Sequence, residues 1–295
     1  MAFAICVGSA ALPLGNALAG PSAGPELAVC VDPANLPYSS DEQPGYENKI
    51  ADVLAADLHA SVRYDWYRPY RNFLKATLLA GRCDVVISVP ASLPGLSMTL
   101  PYFNSSYVAV MRANDTRHFT SFNDAWLRDA RIGVQLVGED RSETPPSAAL
   151  TSRNITGHIT GFVMRSTREG EYPQGRIVDA VADGTIDVAF VWGPIAGYFA
   201  RAHGNALRLK NITADPKNPD LTFTYPIAMG VRGTDRDLRD RLQTAIDHHE
   251  SEIAAILRNY GIPTVPMAGS SDHLPAQSVA QRTTSSVPAQ SSGGN

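Results

Sequence analysis

The sequence predicts an α/β protein of two similar lobes, each a mostly parallel sheet flanked by helices, facing one cleft across a hinge. Three observations predict it. A unit of apolar helix, glycine, Asp-Val strand and proline occurs twice, over residues 76–90 (Gly81, Asp84, Val85, Pro90) and 179–194 (Gly184, Asp187, Val188, Pro194). The strands in both copies are almost wholly apolar, the pattern of parallel strands covered on both faces. The length of 295 residues suits two lobes of roughly 100–130 residues each. Glycine suits the left-handed position that closes a helix, and proline, which lacks an N–H, ends a strand. Ligands of open α/β sheets bind at the C-terminal strand ends. The alternative is two unrelated αβ units sharing common turn chemistry.

The elements follow in order. Leu27–Val31 predicts a first strand, ended by Asp32-Pro33 and a loop to Ser40. Ile50, Val53, Leu54 and Leu58 fall on one face of a helix over 46–59. Val62–Tyr67 is β-branched and aromatic, a second strand. A helix over 72–80 feeds the strand Val85–Val89, so the order β-α-β-α-β gives a parallel sheet. Ser92–Met98 reads as loop and Tyr107–Met111 as strand, with a link near 113–120. Residues 121–129 read as helix, Arg131–Leu136 as strand and Val137–Ser147 as loop. A further strand falls within Ile155–Val163. The helix Gly175–Ala182 precedes the second copy of the unit, and Ile195–His203 reads as helix. Leu207–Ile212 is a strand, 213–222 a second link, and Phe223–Val231 a long strand. Thr234–Tyr260 reads as one long helix, opened by a Thr234/Asp237 capping pattern and closed by Gly261 and Pro263. The two links make the first lobe discontinuous, 26–112 plus 223–265, around a second lobe of 113–222. Residues 268–295 are poor in apolar side chains and read as a disordered tail.

Charged residues are 18% and apolar ones 44%, enough for a sizeable core. A net charge of −4 without a basic stripe argues against nucleic-acid binding. Residues 1–19 carry no charge and end in Ala17-Leu18-Ala19, a small-residue cleavage pattern that predicts a signal peptide. The alternative, a membrane anchor, is opposed by the short length and Pro13. Export leaves Cys30 and Cys83, and an even pair in an exported chain suggests a disulfide; two buried thiols are the alternative. No G-x-S-x-G, H-E-x-x-H or G-x-G-x-x-G occurs, so nothing points to catalysis, a cofactor or a metal. His248 and His249 are adjacent, read as surface residues on different helix faces.

Four stretches together, 27–39 (LAVCVDPANLPYS), 45–51 (GYENKIA), 80–90 (AGRCDVVISVP) and 191–200 (VWGPIAGYFA), resemble family-3 periplasmic solute-binding proteins. More narrowly, they resemble the J-type proteins encoded beside PQQ-dependent methanol dehydrogenases. The resemblance spans roughly 26–265. It implies a type II periplasmic-binding-protein fold, a periplasmic location and a non-enzymatic role in methanol utilization, assembling or activating a PQQ-dependent methanol dehydrogenase. The alternative is the solute-binding component of an ABC transporter for a small ligand that is not an amino acid. Amino-acid binders of this fold carry an Arg after the third strand and an acid after the second-lobe strand. Here those places are Ala91–Ser97 without a cation, and Trp192-Gly193-Pro194. An amino acid would leave both its charges unpaired.

In this fold Asp32, Asn35 and Tyr38 follow the first strand and face the cleft; local turns around Pro33 and Pro37 are the competing account. Pro90 and Trp192 end the two strands, and Trp192 either stacks on a guest or packs in the core. Tyr67, Arg68, Tyr70 and Arg71 form an aromatic-basic cluster suited to a carboxylate-rich partner, or a solvated loop. The candidate cleft set is therefore Asp32, Asn35, Tyr38, Tyr67, Arg71, Pro90 and Trp192. Were the cleft an enzyme's, Asp32 or Glu47 would be its acid.

Overall fold

The computed structural model describes residues 24–68, 72–137, 143–165 and 172–266. The strands are β1 (Glu26–Val31), β2 (Ala34–Asn35), β3 (Ser39–Ser40), β4 (Ser61–Trp66), β5 (Val85–Pro90), β6 (Leu96–Met98), β7 (Phe103–Arg112), β8 (Ile132–Leu136), β9 (Ile159–Val163), β10 (Val188–Trp192), β11 (Leu207–Ile212) and β12 (Thr224–Arg232). The helices are α1 (Tyr46–Asp57), α2 (Phe73–Ala76), α3 (Pro145–Thr151), α4 (Arg176–Ala182), α5 (Gly193–Ala200), α6 (Arg236–His248) and α7 (Glu250–Asn259). The unit they build ends at Val265. The expected leader (1–19) and tail (268–295) lie outside the described residues.

Strand pairing runs β4-β1-β5-β12-β7-β10-β8-β9, with β6 on β12 and β11 on β7. The outer strands are parallel in each half: β1 with β4 and β5, and β8 with β10 and β9. Two long antiparallel strands, β7 and β12, join the halves. Phe103–Ser106 pair with Thr224–Ile227, and from Tyr107 on, β7 pairs with β10 and β11 instead. Strand β7 therefore changes partners at 106/107, within the strand and before the link read near 113–120. An unbroken run of buried residues along β7 carries no turn signal, so the sequence shows the strand but not its change of partners.

One core gathers β1, β5, β12, α1, α6 and α7 around Val29, Ile50, Leu54, Met229 and Leu257. In the second half, one face packs Phe122, Phe190 and Phe223, the other Val110, Ile177 and Val191. Gly81 and Gly184 both take the predicted left-handed conformation, at φ 73° and 82°. The aspartate after each repeats a single arrangement. Asp84 accepts the Ala28 N–H at 3.1 Å and a bond from Arg232 at 2.9 Å, while Asp187 accepts the Arg131 N–H at 2.9 Å and a bond from Arg112 at 3.2 Å. The same two arginines donate to paired carbonyls, Arg232 to Leu78 and Cys83, Arg112 to Val181 and Ile186. Each arginine sits at the end of the long strand that arrives from the other half.

Several elements differ from expectation. The helix over 72–80 is one turn, α2, followed by turns. In place of a helix over 121–129 there is only a 3-10 turn at Ala125–Arg128, because Asp124 accepts the N–H groups of Thr120 and Ser121 and so competes with the helical ladder. The loop 92–98 contains β6, held by β12. Within the loop read over 137–147, α3 begins at Pro145, a residue suited to a first turn. The expected long C-terminal helix breaks at His249, and Asp235, not Thr234, caps α6 without a side-chain capping bond. The break turns both His248 and His249 onto Asp57, at 3.2 and 3.1 Å, so they share one partner where independent faces were expected.

Cys30 in β1 and Cys83 just before β5 form a disulfide, with Cα atoms 5.3 Å apart and a separation of 53 residues. Closing a loop of that length restricts the unfolded chain by about 4 kcal/mol. The Cys30→Ser/Cys83→Ser variant is expected to lose stability of about that size in urea denaturation, and reductant is expected to reproduce the loss in the parent protein.

Candidate functional site

The C-terminal ends of β1 and β5 in one half, and of β8 and β10 in the other, line a cleft of about 1000 Å³. Of the residues singled out in the sequence, Asp32, Asn35, Tyr38, Pro90 and Trp192 line it. Tyr67 is not among its lining. The Tyr67 ring packs on Phe73, which does line the cleft, and the Arg82 guanidinium lies over the Tyr67 ring at 5.6 Å from its centre. Arg71 lies outside the described residues.

The loop after β1 is fixed twice. Asp32 Oδ1 accepts the Ala34 N–H at 3.0 Å, Ser39 Oγ donates to the Asp32 carbonyl at 2.8 Å, and the Tyr38 N–H donates to the Asn35 carbonyl at 2.8 Å. These are the local turns that competed with a cleft role. Asp32 nonetheless reaches across as well: its other carboxylate oxygen pairs with Arg165, just after β9 in the second half. Gln174 Nε2 donates to the Ala34 carbonyl at 3.0 Å, and the Tyr172 hydroxyl bonds both Ser40 Oγ (2.9 Å) and Glu42 (3.0 Å). The halves are thus tied together along the rim of the cleft. At the back, Gly197 lies so near the Gly261 carbonyl that any Cβ would fall 1.9 Å from that oxygen, and Tyr198 stacks on Tyr260. Trp192 packs in the core, one of its two expected readings, and its position leaves a face on the cleft. It packs against all three large cores and also faces the cleft, meeting Tyr107 and Tyr225 edge-on at 5.4 and 5.6 Å.

The floor holds Glu47, which the sequence offered only as the acid of an enzyme's cleft, and residues that sequence reasoning passed over. Glu47, in the first turn of α1, is only 7% exposed and lines the cleft. Its carboxyl is pushed up to about 8, chiefly by burial; a hydrogen bond with Ser88 opposes this and the charge of Asp32 adds to it. Burial likewise raises the hydroxyls of Tyr38, Tyr46 and Tyr102. Near neutral pH the floor is therefore a set of protonated O–H groups. Ser88 sits beside them at φ 56°, a left-handed conformation costing about 1–3 kcal/mol for a residue with a Cβ. The cause is a β-bulge: the register of β12 against β5 slips between Ala228 and Gly230, which re-aims Ser88. Ser88 Oγ lies 2.9 Å from the Tyr102 hydroxyl. A polar residue interrupting the apolar run Val85–Val89 was the available signal. Glu47 was named only as the acid of an enzyme's cleft and left out of the cleft set, since an acid in a first helical turn is ordinary. Gln135, next to the last residue of β8, accepts the Trp192 backbone N–H at 2.7 Å and orders the end of β10. Among the described residues no cluster suited to a metal ion occurs.

The rim contacts generate a prediction. Breaking the partly exposed Asp32–Arg165 pair and the Gln174–Ala34 bond removes about 1 kcal/mol each. An Arg165→Ala/Gln174→Ala variant should therefore shift the balance of closed and open forms by roughly thirtyfold toward open. Small-angle scattering should show a larger radius of gyration than the parent's, and an unchanged radius would show that the rim bonds do not hold the closure.

No family model matches the chain. It is 30% identical over 274 residues to the protein MoxJ of Paracoccus denitrificans, an alignment covering 88% of this chain and 95% of that protein. Among solved structures it is similar to the periplasmic binding protein XoxJ from Methylobacterium extorquens AM1, with a TM-score of 0.67 and 29% identity over 82% of this chain and 100% of that one. It shares its fold with MxaJ from Methlophaga aminisulfidivorans MPT, with a TM-score of 0.69 and 23% identity over 81% of this chain and 100% of that one. The architecture is that of the type II periplasmic binding proteins. On the extent of its kinship with MoxJ, the chain belongs to the MoxJ family.

Proposed function

We propose that this chain is exported to the periplasm, with its leader cleaved near Ala19, and serves methanol oxidation there as a non-enzymatic accessory protein. Its partner in this reading is a PQQ-dependent methanol dehydrogenase, which it helps to assemble or activate through the cleft or its rim. The observation that carries the reading is kinship with MoxJ over nearly the whole length of both chains. The cleft chemistry supports it. Asp32 is engaged by Arg165, the loop after β5 offers no cation over Ala91–Ser97, and Trp192-Gly193-Pro194 stands where amino-acid binders keep an acid. A free amino acid would leave its ammonium and carboxylate desolvated without dedicated counter-ions.

A second reading, solute binding for a transporter, is favoured by one observation: the halves are tied across a cleft large enough for a small guest. Affinity capture with a tagged copy of the chain in periplasmic extract separates the two. The accessory role predicts retention of a quinoprotein dehydrogenase subunit. Its absence, with a melting temperature that rises on adding a small solute, would replace that role with solute binding.

A further inference from the structure

The cleft floor contains more hydrogen-bonding capacity than the protein itself uses. Tyr46 is wholly buried and lines the cleft, and the side chain that reaches its hydroxyl is Ser88, outside good hydrogen-bond geometry and already shared with Glu47 and Tyr102; one hydroxyl accepts at most two bonds, so three O–H groups around it leave a donor unspent. A buried hydroxyl left unbonded costs about 1–3 kcal/mol, so one that faces a cavity awaits a guest atom or water. Glu47 is the next residue in the chain and lines the same floor. Ser88 joins them through the bulge that re-aims it, a local strain of the kind that gathers at binding sites. Above this polar floor the walls are aromatic: Tyr107, Trp192 and Tyr225 stand in edge-to-face contact.

We propose that Glu47, Tyr46 and Ser88 form a subsite for the uncharged polar head of a small solute, a carbonyl, amide or hydroxyl, whose apolar body lies against Tyr107, Trp192 and Tyr225. The proposal rests on the reading of the cleft as the working surface. A neutral head matches the floor because both the floor and the head can exchange hydrogen bonds without either being stripped of a counter-ion. A carboxylate guest would find Arg165 already paired with Asp32, leaving the exposed Lys75 as the other cation in the lining, and an ammonium guest would meet O–H groups in place of a carboxylate. The charged and titratable groups around Glu47 are Asp32, Tyr38, Tyr46 and Tyr102, with Arg165 held by Asp32. Glu47 is the one among them whose proton is lost near pH 8, and losing it turns the floor from neutral to anionic.

Three probes of nearly one shape test this: benzamide, benzoate and benzamidinium, titrated calorimetrically into the full chain. At about pH 6, benzamide should bind at least about tenfold more tightly than either ion. At about pH 9.5, benzamide should weaken and benzamidinium should gain about tenfold. Glu47→Gln, which keeps a neutral head, should retain benzamide within about threefold and abolish the gain of benzamidinium; a thermal melt confirms that it is folded. Equal affinities for the three probes at low pH, no benzamide binding, or the same pH response in Glu47→Gln would each overturn the subsite. Failure of benzamide alongside successful capture of a dehydrogenase would remove the subsite and leave the accessory role standing.

Discussion

The structure depends on two strands that each belong to both halves, and on the arginine at the end of each. β7 leaves the first half and ends in the second with Arg112; β12 returns and ends in the first with Arg232. Each guanidinium binds two backbone carbonyls and the aspartate that begins a central parallel strand. Charge-assisted bonds of this kind contribute about 1.5–3 kcal/mol apiece, and in each set one bond adds to a helix- or turn-end carbonyl, Leu78 or Val181, that already accepts a backbone N–H. Arg131, Arg112 and Arg117 surround Asp187, and the Arg131 bonds above all hold its carboxyl far below the usual range. The clamps fix the N-terminal ends of β5 and β10. Their C-terminal ends then face each other from opposite halves, and the cleft lies between them.

Within the cleft, two ways of handling an acid stand side by side. Asp32 has a cation, Arg165, and uses it to tie the halves. Glu47 is governed by burial, and burial favours the protonated form. The consequence for recognition is direct. A cleft that grips ions needs them prearranged and open to the guest, whereas here the aspartate is already engaged and the other floor groups are neutral. The aromatic walls and a donor-rich floor fit a guest that is mostly apolar with one uncharged polar end. This is the physical content of the departure from amino-acid binders that the sequence shows at Ala91–Ser97 and Trp192–Pro194.

Much of the architecture was legible because it rests on local patterns. The Gly-x-x-Asp-Val repeat marked both central strands, and the structure shows that its aspartates are the clamp residues, a role no local rule assigns. Asp32, Asn35, Tyr38, Pro90 and Trp192 were found because strand ends can be read from proline and from the end of an apolar run. Long-range facts were not legible. The partner change within β7 leaves no mark in a uniformly buried strand, and the rim bond from Gln174 joins residues 140 apart in the chain. Ser88 depends on a register slip between its own strand, β5, and β12, which lies far along the chain. The break at His249 was hidden because apolar spacing continues on both sides of it, and only the convergence of two histidines on Asp57 reveals what the break accomplishes.

The central claim is that the cleft floor is uncharged at neutral pH because Glu47 keeps its proton. The infrared carbonyl band of a protonated carboxylic acid, assigned by its disappearance in the difference spectrum of Glu47→Gln, reads that state in the intact protein. The account predicts a band that persists through neutral pH and vanishes with a midpoint near 8. A midpoint in the ordinary glutamate range, about 4–5, would contradict it and would make the cleft an anionic site.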